Sequence, residues 1–420
     1  MTNGPIAGLL ALLTPAGRGV LEGLDPAEID ADPLKAATRL RADPALAKSH
    51  WDVPTTELVN AALTQARLRG RAKEKFGPAA DRMFFTPNGL EQATRAPVAR
   101  HRAGRFAARL GPGGEPPVGD LCCGIGADLI AMAEEGLAVE GVDLDPFTLT
   151  VAQANIEAMG LTGLARVRAG DASAVAPEDY SAVFCDPARR GARGRIFNPH
   201  AYSPSWDTVT RLAETAPAAC VKAAPGIPHD LVPKEVSAEW ISVDWEVKEA
   251  ALWFGGLVEE SGPTRSATLI RTKGATPGTT TLTADPDLGA PEVSAPRGYL
   301  YEPDGAVVRS HLVAEAARAV DGALIDPAIA YITSDRLVRT PLCRAYVVHE
   351  VTPFSLKRLR AALRERDAGK ITIKKRGSAV DVDKLRRDLK ASGPESAVVV
   401  LTRIGDRPFY LLCSEVSGDA

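Results

Sequence analysis

Between residues 118 and 186, four short apolar runs each carry an aspartate at or just past their ends. Val118–Cys122 contains Asp120, Ala138–Val142 runs into Asp143, Arg166–Ala169 into Gly170-Asp171, and Ala182–Cys185 into Asp186. The helical segments Asp128–Glu135 and Pro146–Met159 lie between them. Such strand–helix alternation predicts a parallel, doubly wound sheet. Ala218–Ala223 continues the strands, and Trp240–Val247, Ala250–Gly255 and Ser266–Thr272 follow with an antiparallel look. Open α/β sheets bind ligands at the rim formed by the strands' C-terminal ends. A single aspartate there often only caps a helix; an ordered set of four points to a ligand.

The first turn reads Val118-Gly119-Asp120-Leu121-Cys122-Cys123-Gly124-Ile125-Gly126-Ala127-Asp128. Gly124 and Gly126 let backbone approach a ligand where a Cβ would collide. Position 129 is Leu, so the pyrophosphate-binding GxGxxG is incomplete, which argues against NAD and FAD. Asp143 follows the turn by about 20 residues, a spacing that suits a ribose diol. A carboxylate accepts two hydroxyl hydrogen bonds without a proton of its own.

This set of Asp120, Gly124, Gly126, Asp143, Gly170-Asp171 and Asp186-Pro187 resembles the class I S-adenosylmethionine (SAM)-dependent methyltransferases, over about residues 80–275. The resemblance implies a Rossmann-like fold, with a mainly parallel seven-stranded sheet and antiparallel end strands. It implies SAM as cofactor, with Asp120, Cys122, Gly124 and Gly126 around the methionine part. Asp143 and Leu144 would meet the ribose, and Asp171 and Ala172 the adenine. Asp186 and Pro187 would border the methyl acceptor.

Asp186-Pro187-Ala188-Arg189 resembles the Asp-Pro-Pro-Tyr or Asp-Pro-Pro-Arg segment of amino- and nucleobase-methylating members. Ala188 replaces the second proline, and Arg189 replaces the aromatic that would stack a flipped base. Arg189 can hold phosphate or stack through its guanidinium. Methylation at pyrimidine C5 needs a cysteine nucleophile. Neither Ala188-Arg189-Arg190 nor Val221-Lys222-Ala223-Ala224-Pro225 supplies one, and Cys185 and Cys220 read as buried strand residues. Direct transfer to nitrogen, or less favourably oxygen, is expected.

Two segments flank this core. Phe84–Arg95 resembles the stretch that such enzymes fold over SAM, with Gln92 and Thr94 as pocket residues; an ordinary capped helix is the other reading. Arg189, Arg190, Arg193 and Arg195 form a glycine-spaced arginine loop suited to an anionic substrate, or simply to solvent and salt bridges.

The chain's 50 Lys+Arg against 53 Asp+Glu give −3, but the charge is unevenly placed. Residues 351–390 hold thirteen Lys/Arg and five Asp/Glu, a local +8 that leaves −11 for the rest. Lys370–Gly377 reads as a strand entering a basic turn, where Lys374, Lys375 and Arg376 can grip phosphates. A basic solvent face is the alternative. Tyr299–Asp304, Lys374–Gly377 and the strands of Val398–Cys413 resemble the THUMP-like C-terminal domain of a bacterial methyltransferase family. That resemblance implies RNA binding, with tRNA or rRNA as partner.

The expected organisation is a helical region over 1–110, a methyltransferase domain over 111–275, and a smaller α/β THUMP-like domain over 290–420. Residues 274–297 read as a linker. Ile6–Leu13 lacks a preceding Lys or Arg and reads as a packed helix rather than a signal peptide. No run reaches the ~18 apolar residues of a membrane span. Six scattered cysteines without zinc-ligand spacing suggest a reducing cytoplasm and no metal. A small-molecule or protein methyltransferase, and a non-catalytic SAM- or RNA-binding module, are the competing readings.

Overall fold

The computed structural model describes residues 4–43, 46, 51–188, 190–191, 194–195, 202–262, 264–274 and 277–416. The chain divides into two compact units: unit 1 comprises Met1–Lys222 with Trp253–Glu260, and unit 2 comprises Ala223–Leu252 with Ser261–Ala420. No helix among the described residues is long and apolar enough to cross a membrane.

Unit 1 begins with helices α1 (Gly4–Leu13), α2 (Pro15–Glu22), α3 (Pro26–Ala31), α4 (Pro33–Arg41) and α5 (Thr55–Phe76). Proline opens α2, α3 and α4, each capped by the side chain of Thr14, Asp25 or Asp32. Two more helices follow, α6 (Pro87–Gln92) and α7 (Ala96–Leu110). Then strands β1 (Val118–Leu121), β2 (Val139–Asp143), β3 (Ala165–Ala169) and β4 (Ala182–Cys185) alternate with α8 (Ala127–Glu134) and α9 (Pro146–Met159). The hairpin β5 (Arg190–Gly191) and β6 (Gly194–Arg195), helix α10 (Trp206–Thr215) and strand β7 (Ala218–Ala223) complete the series. The strands lie in the order β3-β2-β1-β4-β7, all parallel. Every residue of β1, β4 and β7 is buried, as continuous apolar runs require in a sheet covered on both faces.

The outermost strand of this parallel series, β3, is protected by charge. Arg166 and Arg168 reach Glu140 on β2 at 2.8 and 2.7 Å, and Tyr180 donates to the same carboxylate at 2.7 Å. Burial alone would push Glu140 up, but the bonds from Tyr180, Arg166 and Arg168 bring it down to about 2.

Unit 2 holds β8 (Ser237–Val243) and the part of β9 (Glu246–Gly255) up to Leu252, joined through Asp244 and Trp245, with φ of 48° and 72°. Two successive left-handed residues are the signature of a tight hairpin. β10 (Arg265–Arg271) pairs in parallel with β8, where the sequence suggested antiparallel strands; β11 (Gly278–Thr283) pairs antiparallel with β10. The expected linker at 274–297 thus contains a strand: Thr281 bonds Thr268 through their hydroxyls at 2.8 Å.

A seven-stranded sheet follows: β12 (Tyr299–Pro303), β13 (Ala323–Asp326), β14 (Ile329–Ser334), β15 (Cys343–Pro353), β16 (Ala368–Lys375), β17 (Glu395–Ile404) and β18 (Arg407–Glu415), in the order β13-β14-β12-β15-β18-β17-β16. Helices α11 (Gly305–Arg309), α12 (Val313–Ala319), α13 (Leu356–Glu365) and α14 (Val382–Leu389) accompany it. Along β17 the side chains alternate. Val399 and Leu401 pack with Leu359 and Leu363 of α13 and Leu385 of α14, while Val398 and Val400 pack with Leu300 and Tyr331. Truncating a fully buried leucine such as Leu359 to alanine costs ~2–5 kcal/mol.

Candidate active site

The C-terminal rim of the parallel strands in unit 1 frames a cavity of about 690 Å³. Its lining includes Asp120 of β1, Cys122 and Gly124 from the first turn, Asp143 from β2, Asp186 and Pro187 after β4, Gln92 at the end of α6 and Thr94 just beyond it. Glu91, Asp128 and Asp145 add further carboxylates, and among the described residues the lining contains no Lys, Arg or His.

Local sequence explains the turn. Cys122 takes φ 70°, Gly124 55° and Gly126 85°, and the last serves as the N-cap of α8. A Cβ placed on Gly124 would meet nothing within 4 Å, so this backbone borders open space. Asp143 grips the turn: Oδ2 accepts from Gly124 N at 3.0 Å, and Oδ1 from Asp145 N at 3.0 Å. Each oxygen keeps further acceptor capacity for a diol. Asp145 caps α9 at Phe147 and Thr148, so the helix dipole begins beside the cavity.

Asp120 is buried, and both of its carboxylate oxygens lack a hydrogen-bond partner. Burial, with Asp128 and Asp186 close by, pushes its carboxyl well above the usual range. An orphaned buried carboxylate destabilises a protein unless a cationic or hydrogen-bonding ligand meets it. Asp128 is matched internally by the buried Arg102, whose guanidinium also lies 4.2 Å from the Phe184 ring centroid. The cavity thus offers an uncompensated acid, a diol acceptor and a glycine-lined floor. SAM carries an ammonium, a sulfonium and a ribose diol, and these residues fit it.

Two buried carboxamides hold the covering segment. Asn155 of α9 accepts from Phe84 N at 2.7 Å and donates to Phe84 O at 3.1 Å and Ile125 O at 3.0 Å. Gln65 of α5 pairs in the same way with both backbone groups of Phe85. Lys75 donates to the carbonyls of Leu90, Glu91 and Ala93, closing the end of α6. Segment 84–94 is thereby fixed to the first turn rather than left as a loose loop.

Beside Asp186, a residue absent from the sequence-based set organises the site. Lys222, in β7 with a 5% exposed side chain, donates to Asp186 Oδ2 at 2.6 Å and to Thr94 Oγ1 at 2.9 Å. Ala188 forms a two-way backbone bridge with Ser203 that fixes the chain leaving Asp186-Pro187. Cys185 is buried, its thiol raised by its bond to Cys122 and by burial; Cys123 is raised by burial. Cys220 is also buried within its strand.

Other expected residues lie elsewhere. Leu144 is 65% exposed, and neither it, Asp171 nor Ala172 lines the cavity. Asp171 caps the short turn at Ala172–Ala174 through Ser173. Arg189 and Arg193 fall outside the described residues, and Arg190 and Arg195 are described only as the backbone of the β5–β6 hairpin. In unit 2, Lys374 pairs with Glu302 at 2.9 Å, Lys375 donates to Val380 O, and Arg376 donates to Ala330 O beside the Tyr331 ring.

The strand order and this rim define a class I SAM-dependent methyltransferase. Two Mycobacterium tuberculosis proteins, from strains CDC 1551 / Oshkosh and H37Rv and described as uncharacterized S-adenosylmethionine-dependent methyltransferases, are each 36% identical over 353 residues, covering 80% of this chain and 91% of theirs. The chain belongs to this methyltransferase family. Residues 343–415 match the THUMP domain-like family. An uncharacterized RNA methyltransferase of Parasynechococcus marenigrum is 32% identical over 83 residues, 19% of this chain and 18% of that one. A crystal structure from Porphyromonas gingivalis W83, assigned as a candidate methyltransferase, shares the fold: TM-score 0.71 at 20% identity, covering 94% of this chain and all of that one.

Proposed function

We propose that this enzyme methylates a nitrogen of RNA, in tRNA or rRNA, without a cysteine nucleophile. The reading is carried by Asp186. It lines the cavity, Oδ2 is tied to Lys222, and Oδ1 has no partner among the described residues and is assigned to receive a hydrogen bond from the acceptor. A carboxylate so placed orients an N–H acceptor, aims its lone pair at the methyl group, and offsets the positive charge that develops on nitrogen. Bound SAM supplies the electrophilic methyl on a sulfonium. Asp120 faces its cationic end, Asp143 its ribose, and Gln92 and Thr94 cover it; Asp171 and Ala172 are assigned to the adenine side. Pro187 and Arg189 shape the acceptor side, with Arg190, Arg193 and Arg195 meeting phosphates.

RNA as substrate is supported by the THUMP-like match and by exposed cations of unit 2: Lys357, Arg358 and Arg364 on α13, Lys375 at the end of β16, and Arg386 and Arg387 on α14, in the phosphate-gripping role. Lys374 and Arg376 join them in this proposal from β16 and the turn that follows. The test is transfer of radiolabelled methyl from SAM to total RNA of cells lacking the gene, followed by nucleoside analysis. Label in an N-methyl nucleoside supports the reading. Label confined to protein or small molecules overturns the RNA assignment, and label at a ring carbon overturns the nitrogen assignment.

A further inference from the structure

Three rings of unit 2 stack in series. Trp240 of β8 is buried, and its ring lies 4.8 Å from that of His229 at an interplanar angle of 16°. His229 lies 3.8 Å from His311 at 9°. The inner rings are fixed: Trp240 Nε1 donates to Pro225 O at 3.1 Å, and His229 Nε2 donates to Arg309 O at 2.9 Å. The series runs from the interior to His311, which is exposed.

His311 occupies a position that glycine ordinarily takes. After α11, His311 N closes on Val308 O at 3.2 Å and Leu312 N on Val307 O at 3.0 Å. This double closure ends a helix through one left-handed residue, and His311 has φ 58°. A side chain there is strained, and strain of this kind collects at ligand clamps. The ring gained by that strain is parallel to its neighbour on one side and open to solvent on the other. Its surroundings are cationic: Arg309 and Arg265 are exposed, and Arg265 donates to Ser310 O at 3.2 Å. Burial, His229 and Arg265 keep His311 below the ordinary histidine range, which favours the neutral ring.

We infer that His311 is the outer leaf of a base-stacking platform for an unpaired nucleobase of RNA, with Arg265 and Arg309 beside it for the adjoining phosphates. A flat ring flanked by arginines is how single-stranded nucleic acid is held with little sequence preference. This inference rests on the RNA reading above.

The test uses the full chain and a 12-nucleotide single-stranded RNA carrying 2-aminopurine. Wild type should quench the probe on binding. His311→Gly removes the ring and relieves the left-handed strain, so its thermal midpoint should hold or rise while affinity drops about tenfold. His311→Trp should restore affinity. Equal affinity of wild type and His311→Gly overturns the platform while leaving the RNA reading intact; absence of any RNA binding by wild type overturns both. A fall of several degrees in the His311→Gly midpoint with unchanged affinity makes the stack a packing feature. Equal competition by adenosine monophosphate overturns the oligonucleotide assignment in favour of a mononucleotide site.

Discussion

Lys222 Nζ lies 2.6 Å from Asp186 Oδ2, and the same ammonium reaches Thr94 Oγ1 at 2.9 Å. One buried cation therefore joins the Asp186 carboxylate to the segment that lines the cavity at Gln92 and Thr94. A bond of this kind between charged groups is among the stronger hydrogen bonds in proteins.

Replacing Lys222 with Met should lower methyl transfer at least tenfold and leave SAM affinity within a few-fold. Asp186 loses its tether, and Thr94 is left with an unmet buried hydroxyl, costing ~1–3 kcal/mol. Radiolabel transfer and calorimetric SAM titration measure the two effects separately. A variant that transfers methyl normally removes Lys222 from the site's organisation.

Asp143→Ala should weaken SAM binding by ~1–3 kcal/mol, since the lost carboxylate both holds the Gly124 turn and offers the diol acceptor. Isothermal titration is the check. Unchanged affinity would take the ribose role away from Asp143.

Asp120 gives a prediction of opposite sign for stability and binding. Its folded-state carboxyl is raised, so its ionisation works against folding as pH climbs above the ordinary aspartate value. Without SAM, Asp120→Asn should melt a few degrees higher than wild type at pH 8, and the gap should close near pH 4. The same variant should bind SAM more weakly. Melting curves at the two pH values, with and without SAM, decide it.

Glu140 behaves in reverse. Its pKa is brought to about 2 in the folded state, so its bonds to Tyr180, Arg166 and Arg168 stabilise above the ordinary glutamate value and are lost as pH falls from there toward 2. Glu140→Gln should lower the melting temperature at pH 7, with a smaller penalty at pH 3. An equal penalty at both values would show that the carboxylate's charge is not what secures the β2–β3 edge.

The parallel core was legible because its signals are local. Strand, glycine turn and capped helix follow one another within a few residues, as at Asp120–Asp128 and Asp145–Met159. Lys222 was not, because its partners lie 36 and 128 positions away. Its one trace is a lysine inside the apolar run Ala218–Ala223, where a buried charge requires a partner. Asn155 and Gln65 escaped for the same reason: a carboxamide in a helix does not reveal which distant backbone it will clamp. β11 was hidden by flanking Pro and Gly, and the parallel pairing of β8 with β10 by the fact that strand direction is set by connections, not composition. Lys374 illustrates the limit of reading charge alone, since Glu302, 72 positions away, is its ion-pair partner.

In the proposed function, Asp186 directs methyl transfer to an RNA nitrogen. Nucleoside mass spectrometry is run on RNA from parent cells, cells lacking the gene, and those cells complemented with wild type or with Asp186→Ala. One N-methylated nucleoside should vanish on deletion, return with wild type, and stay absent with Asp186→Ala although that protein still binds SAM. RNA that is identical in all four backgrounds, or fully restored by Asp186→Ala, would rule out this role for Asp186.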